Sequence, residues 1–242
     1  MRDWMDLTWT EASQLDPTRT VALLAVGAVE AHGPHLPLGT DGIIARAMAR
    51  EAAALLERKD LTAVLLPPLD FTVAEFARNF PGTLSFRPDT VLAVLRDLTS
   101  GLRGRCAVLG VANAHLDPAH LGVLSQGLKE CPLPVAFPDL TRRRLAERLT
   151  EEFRSGACHA GQYEGSVVLA ERPDLVRLEV ARSLPNNPSS LVTAIRQGLG
   201  SFEEAGGPQA YFGNPAGTNP EEGRVTAREL GRILAEAVLE LL

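Results

Sequence analysis

The five histidines of this 242-residue chain lie in three short segments, each also carrying carboxylates. The first runs Gly27-Ala28-Val29-Glu30-Ala31-His32-Gly33-Pro34-His35-Leu36-Pro37-Leu38-Gly39-Thr40-Asp41, the second Asn113-Ala114-His115-Leu116-Asp117-Pro118-Ala119-His120, and the third Cys158-His159-Ala160-Gly161-Gln162-Tyr163-Glu164. Imidazole with carboxylate is a ligand set for Zn, Mn or Fe, ions that polarise a carbonyl and lower the pKa of bound water. The clustering therefore points to a metal-dependent hydrolase whose one site draws on three stretches of chain.

Spacing refines the roles. Glu30 and His32, two positions apart, share one face of an extended backbone. Gly33-Pro34 turns the chain, and Asp41 returns nine residues after His32. A carboxylate can bridge two ions through its two oxygens, and Asp41 is the candidate; the alternative is a helix N-cap, since a helical pattern starts there. His35 is either a ligand or a packed loop residue. His115 and Asp117 repeat the spacing of two, and Asn113 could bond a carboxylate or the substrate. His120, inside a helical pattern, reads as a satisfied residue and not a ligand. His159 beside a metal site suits a general acid or base. Glu164 could be a ligand, a base or a helix-start acid. A thiol mechanism, with Cys158 attacking and His159 as base, is the competing chemistry; adjacent residues seldom face each other for proton transfer.

These residues must be held by a fold, and the chain supplies one domain's worth, 1–242. Apolar runs at Val21 to Val26, Ala63 to Leu66, Cys106 to Val111 and Leu133 to Phe137 read as buried strands. Helical patterns cover Asp41 to Glu57 (capped by Thr40 or Asp41), Pro88 to Leu102, Pro118 to Lys129, Leu140 to Phe153 and Pro220 to Leu242. Alternation of this kind predicts an α/β fold, a three-layer sandwich with a mostly parallel central sheet and helices on both faces. The last third reads as less regular, with loops at Ser183 to Ser190 and Gly206 to Asn219. Segments one and two each follow a strand, and ligands in such sheets bind beyond the carboxyl ends of strands.

Composition excludes other classes. A net charge of −6 argues against a nucleic-acid surface, and Arg142-Arg143-Arg144, with acids close behind, reads as a solvated helix face. No apolar run reaches a membrane-spanning length, and no signal peptide is visible. Three cysteines without paired spacing suit a reducing cytoplasm.

Together the motifs resemble the creatininase family of creatinine amidohydrolase-like metal hydrolases. Residues 27–41 resemble its signature Gly-Ser-x-Glu-Gln-His-Gly-Pro-His-Leu-Pro-Leu-x-Thr-Asp. Phe80-Pro81-Gly82-Thr83-Leu84-Ser85 resembles a second, Asn113-Ala114-His115 the Asn-Gly-His segment, and His159-Ala160-Gly161-Gln162-Tyr163-Glu164-Gly165-Ser166 the motif His-Ala-Gly-x-x-Glu-Thr-Ser. The resemblance implies two divalent metal ions (Zn, with Mn or Fe possible), a small-molecule amide substrate and a homo-oligomer, often a hexamer. It assigns metal binding to Glu30, His32, Asp41 and His115, matches Asp117 to a position that is a ligand Glu in the creatinine enzyme, puts Glu164 near the metals, and gives His159 a part in opening the amide. Asn113 is expected to meet substrate.

The departures are specific. Ala28, Ala31 and Ala114 replace Ser, Gln and Gly. Phe76 stands where many members carry His, and Ser155 where the creatinine enzyme carries Trp, which argues against an aromatic clamp on creatinine. Relatives also deformylate a pyrimidine intermediate or trim a peptide. The expected function is hydrolysis of a C–N amide bond, in the class acting on bonds other than peptide bonds; the alternative is a non-catalytic member serving as a binding or assembly unit.

Overall fold

A computed structural model describes residues 1–156 and 159–242. Its sheet contains β1 (Arg2–Asp3), β2 (Thr20–Val26), β3 (Thr62–Leu65), β4 (Val108–Asn113) and β5 (Val135–Ala136), in the order β1-β3-β2-β4-β5. Every neighbouring pair is parallel. The helices in chain order are α1 (Trp9–Ser13), α2 (Thr40–Glu57), α3 (Pro88–Gly101), α4 (Pro118–Lys129) and α5 (Arg143–Ala146), then α6 (Glu151–Ser155), α7 (Gln162–Glu171), α8 (Leu178–Ser183), α9 (Leu191–Arg196) and α10 (Pro220–Leu239).

The alternation of side chains along β2 explains the layers. Val21, Leu23 and Ala25 join the core under α2, α7 and α10, with Ile44, Met48, Val167, Leu230 and Leu234. Ala22, Leu24 and Val26 join the opposite core under α3 and α4, with Val91, Leu95, Val123 and Leu124. All seven residues of β2 are buried, as a strand covered on both faces requires. The three-layer α/β sandwich with helices on both faces is therefore observed.

From β2 the chain passes to β3 on one side, then crosses to β4 on the other. The carboxyl ends of β2 and β4 thus flank the point where strand order reverses, the usual ligand crevice of such sheets. The first histidine segment leaves β2 there and the second leaves β4.

Several expectations change. Neither Thr40 nor Asp41 caps α2: the N-cap position is Gly39 and no side chain bonds there. The expected helix Leu140 to Phe153 is two short pieces, because Thr150 adopts an extended conformation and caps a new start at α6 through Phe153 N–H. α7 gave no amphipathic signal because Tyr163 to Val168 are all buried, leaving no polar face. β1 is too short to announce itself. Arg142 and Arg143 are exposed and paired with Asp139 and Glu147. Among the described residues no helix is long and apolar enough to cross a membrane.

Candidate metal centre

The loop after β2 is held from two sides. Gly27 donates to Leu69 O at 3.0 Å, and a Cβ on Gly27 would lie 2.5 Å from Gly42 N at the first turn of α2. Only a glycine lets the strand end and the helix start approach this closely, and that approach carries Asp41 to the mouth of β2. The Phe80–Ser85 motif then clamps the loop: Ala31 N–H donates to Thr83 Oγ1 at 3.2 Å and Leu84 N–H to Val29 O at 2.8 Å. Gly33, at φ +62, makes the turn that returns the chain to α2.

These constraints bring three segments together. His32 Nε2 lies 3.3 Å from Asp41 Oδ1, 3.6 Å from Glu164 Oε2 and 3.9 Å from Glu30 Oε1. His115 Nδ1 lies 3.1 Å from Asp41 Oδ2 and 3.3 Å from Glu30 Oε1. His159 Nδ1 lies 3.8 Å from Glu30 Oε1. Three triads of closely spaced donor atoms result: Glu30, Asp41 and His115; His32, Asp41 and Glu164; and Glu30, His32 and His159. Donors that share a tetrahedral ion at about 2.0–2.1 Å stand about 3.3 Å apart, which is the separation seen around Asp41.

The opposite ring nitrogens are tied to the backbone. His32 Nδ1–H donates to Glu30 O at 3.1 Å, His115 Nε2–H to Val73 O at 2.9 Å, and His159 Nε2–H to Ala31 O at 2.9 Å. A carbonyl can only accept, so each imidazole presents its other nitrogen to the carboxylates. That is how metal-ligating histidines are oriented. Ala160, at φ +51, turns its N–H to Glu164 Oε2 at 2.6 Å. A non-glycine residue in the left-handed region is a local strain of the kind that gathers at functional sites.

Three carboxylates and three imidazoles are buried here: Glu30 and Asp41 at 1%, Glu164 and His115 at 3%, His32 at 0% and His159 at 6% exposure. Glu30 Oε2, His32 Nε2 and Asp41 Oδ2 have no aligned hydrogen-bond partner. Burying carboxylates without compensation is costly, and the titration behaviour records it. Burial pushes the His32 imidazole down, but Asp41, Glu164 and Glu30 outweigh it and raise it to about 10. Burial pushes His115 down as well, but Glu30 and Asp41 outweigh it and hold it well above its ordinary value. Burial raises Glu164 to about 8, against the opposing pull of His32. Burial, reinforced by His32, holds His159 well below the ordinary value and therefore neutral. The orphaned atoms, the three buried carboxylates and the oriented imidazoles all fit divalent cations.

Asp117 stands apart. Its Oδ1 caps α4 through Ala119 N–H at 2.8 Å and His120 N–H at 3.4 Å, and its Oδ2 accepts from Glu75 and Phe76 N–H at 2.9 and 3.1 Å. It belongs to none of the three triads. Asn113 Nδ2 donates to His115 O at 2.7 Å while its Oδ1 accepts from His120 Nε2–H at 2.9 Å. The structure thus spends the Asn113 amide on holding His115 and His120, not on facing the cavity. His120 is fully buried against the His115 ring, with centroids 4.7 Å apart. His35 is fully buried, edge-on to Tyr211, and belongs to no triad. Cys158 lies outside the described residues. Phe202, which carried no signal in the sequence, stacks on His159 with centroids 4.1 Å apart.

The family model of creatinine amidohydrolase matches residues 5–238. The chain belongs to the creatininase family. Among curated proteins, it is 28% identical over 246 residues to a mycofactocin precursor peptide peptidase of Mycobacterium ulcerans, covering 96% of this chain and 87% of that protein. A namesake in Mycobacterium tuberculosis is 28% identical over 222 residues, covering 88% and 82%. Among solved structures, a putative creatinine amidohydrolase from Bacteroides fragilis superposes with a TM-score of 0.75 at 23% identity, covering 99% and 96%. A creatinine amidohydrolase (creatininase) superposes at 0.74 with 22% identity, covering 98% and 96%. As a creatininase-family chain it carries the fold of a hydrolase family and groups that could hold metal.

Proposed function

We propose that this creatininase-family chain is a metal-dependent amidohydrolase that holds two divalent cations, Zn with Mn or Fe as alternatives, and cleaves a C–N amide bond. One observation carries the reading: the two oxygens of Asp41 face two different imidazoles, His32 at 3.3 Å and His115 at 3.1 Å. A carboxylate so placed is suited to bridge two ions. Glu30 and His115 would complete one position and His32 and Glu164 the other. Asp117, its oxygens committed to four N–H donors, is a cap in this reading and not a ligand. Solved creatininases of this fold are described as Mn and Zn–Zn forms, which supports the choice of ions.

Bound cations would supply a polarised amide carbonyl and an acidified water. The chain's own groups do the rest. His159, neutral and with Nδ1 turned to the cluster, is suited to carry a proton to the leaving nitrogen. Ala31 O holds the ring in that tautomer, and Phe202 packs its face. Among a cyclic amide, a formamide and a peptide, the peptidase names of the mycobacterial relatives favour the peptide bond, so we do not retain the restriction to non-peptide bonds.

The test is hydrolysis of a panel of short peptides, formamides and cyclic amides by protein first stripped with chelator, then reloaded with Zn or Mn. Turnover that appears only on reloading is expected. Turnover by the stripped protein, or none on any amide after stoichiometric loading, would overturn the proposal.

A further inference from the structure

Above the carboxylate cluster the cavity opens between the loop after β3, the loop after β4, and the α9 segment with the turn that follows it. Its lining beyond the cluster includes Phe76, Leu116, Leu191, Val192, Ile195 and Phe202. Phe76 and Phe202 pack ring to ring, with centroids 5.9 Å apart, and Phe202 N–H donates to Phe76 O at 3.0 Å, so the two aromatics form one wall. Val192 is 36% exposed and marks the open side.

The polar groups in this wall are already committed. Asp117 accepts four backbone N–H groups. Thr141 Oγ1 donates to Asp139 at 2.5 Å. Among the described residues, no lysine or arginine lines the cavity. A substrate carboxylate seated there would find no cation, and a substrate ammonium would find, outside the metal cluster, only Asp117, whose oxygens already accept four N–H groups. Burying either charge unpaired is heavily disfavoured, whereas an apolar side chain loses water to apolar neighbours.

Resting on the amidohydrolase reading, we propose that this wall is a specificity pocket. It accepts an uncharged apolar side chain, aromatic or branched aliphatic, on the residue beside the scissile amide. A compact polar ring such as that of creatinine would leave the wall uncovered.

Binding of hydroxamic acids separates this proposal from the metal reading, because each carries the same metal-seeking head group. Zn-loaded protein is titrated calorimetrically with acetohydroxamic acid, 3-phenylpropanohydroxamic acid and succinic monohydroxamic acid. The phenyl compound should bind at least about 10-fold more tightly than the acetyl one and about 100-fold more tightly than the carboxylate-bearing one, the range set by apolar pocket contacts. Ile195→Asp, at the partly exposed rim, should remove most of the phenyl advantage while leaving acetohydroxamate affinity unchanged. Equal affinities for the three compounds, or a phenyl advantage intact in Ile195→Asp, would refute the pocket and leave the metal centre standing. No binding by any of them would refute the metal centre and the pocket with it. In parallel, capped peptides differing only at the residues flanking the cleaved bond should give kcat/KM about 100-fold higher for Phe or Leu than for Asp or Lys on one side. Cleavage indifferent to that residue on both sides would likewise refute the pocket.

Discussion

At the residue scale, the site divides atoms between two duties. Each of His32, His115 and His159 gives one ring nitrogen to a backbone carbonyl and keeps the other for the cluster. His159 differs from the other two in being held neutral by burial and by His32, which suits it to move a proton. His159→Ala should therefore retain the metal content of the parent protein while its turnover falls about 10²–10⁴-fold, the usual contribution of general acid–base catalysis. Elemental analysis beside kinetics checks this; loss of an ion in that variant would make His159 a ligand. The one-residue gap between Glu30 and His32, and the return to Asp41, were legible because metal-ligand types in tight spacing are rare by chance. Asp117 has a second duty that its spacing from a histidine does not reveal: Pro118 starts a helix there, and the same carboxylate accepts the N–H groups of its first turn. Phe202 was invisible, since a single phenylalanine in an irregular stretch has no periodicity to reveal what it packs against.

At the element scale, the proposed metal centre depends on how closely the end of β2 meets the start of α2. Gly27 sets that distance, because an added Cβ would fall on the backbone of Asp41 and Gly42 at 2.5–2.8 Å. Backbone cannot rotate away as a side chain tip can. Gly27→Ala should cost about 1–3 kcal/mol of stability, the range for overpacking, and weaken metal binding by displacing Asp41. Denaturant unfolding of the metal-free protein with a parallel metal titration would show both effects; parental stability and affinity would contradict this role. The strands and long helices were readable from periodicity, and Pro118–Lys129 matched the expected residues. α7 was hidden by burial on every side, and the break before α6 by a threonine whose capping bond outweighs the apolar pattern running through it.

At the scale of the whole molecule, folding without metal gathers buried proton-binding groups in the crevice. The raised His32 and Glu164 groups, at about 10 and about 8, bind protons in the folded chain that the unfolded chain has released above their ordinary values of 6.5 and 4.5. Stability of the metal-free protein must then fall as pH rises from 7 to 9, because the folded state binds more protons. Metal ligation requires both groups deprotonated, so loading gains as pH rises. The difference in Tm between loaded and metal-free protein should widen from pH 7 to pH 9. A constant or shrinking difference would show that these groups do not face the ions. His35, pushed down to about 4 by burial first and His32 second, acts only on the acid side of this window.

Asp41 is proposed to join two ions in one site. The metal-to-protein ratio tests this, measured by mass spectrometry of extensively dialysed protein for the parent chain and for Asp41→Ala after identical loading with Zn. Two ions per chain are expected in the parent and none retained in Asp41→Ala. A parent that holds none, or an Asp41→Ala protein that still holds two, would contradict it.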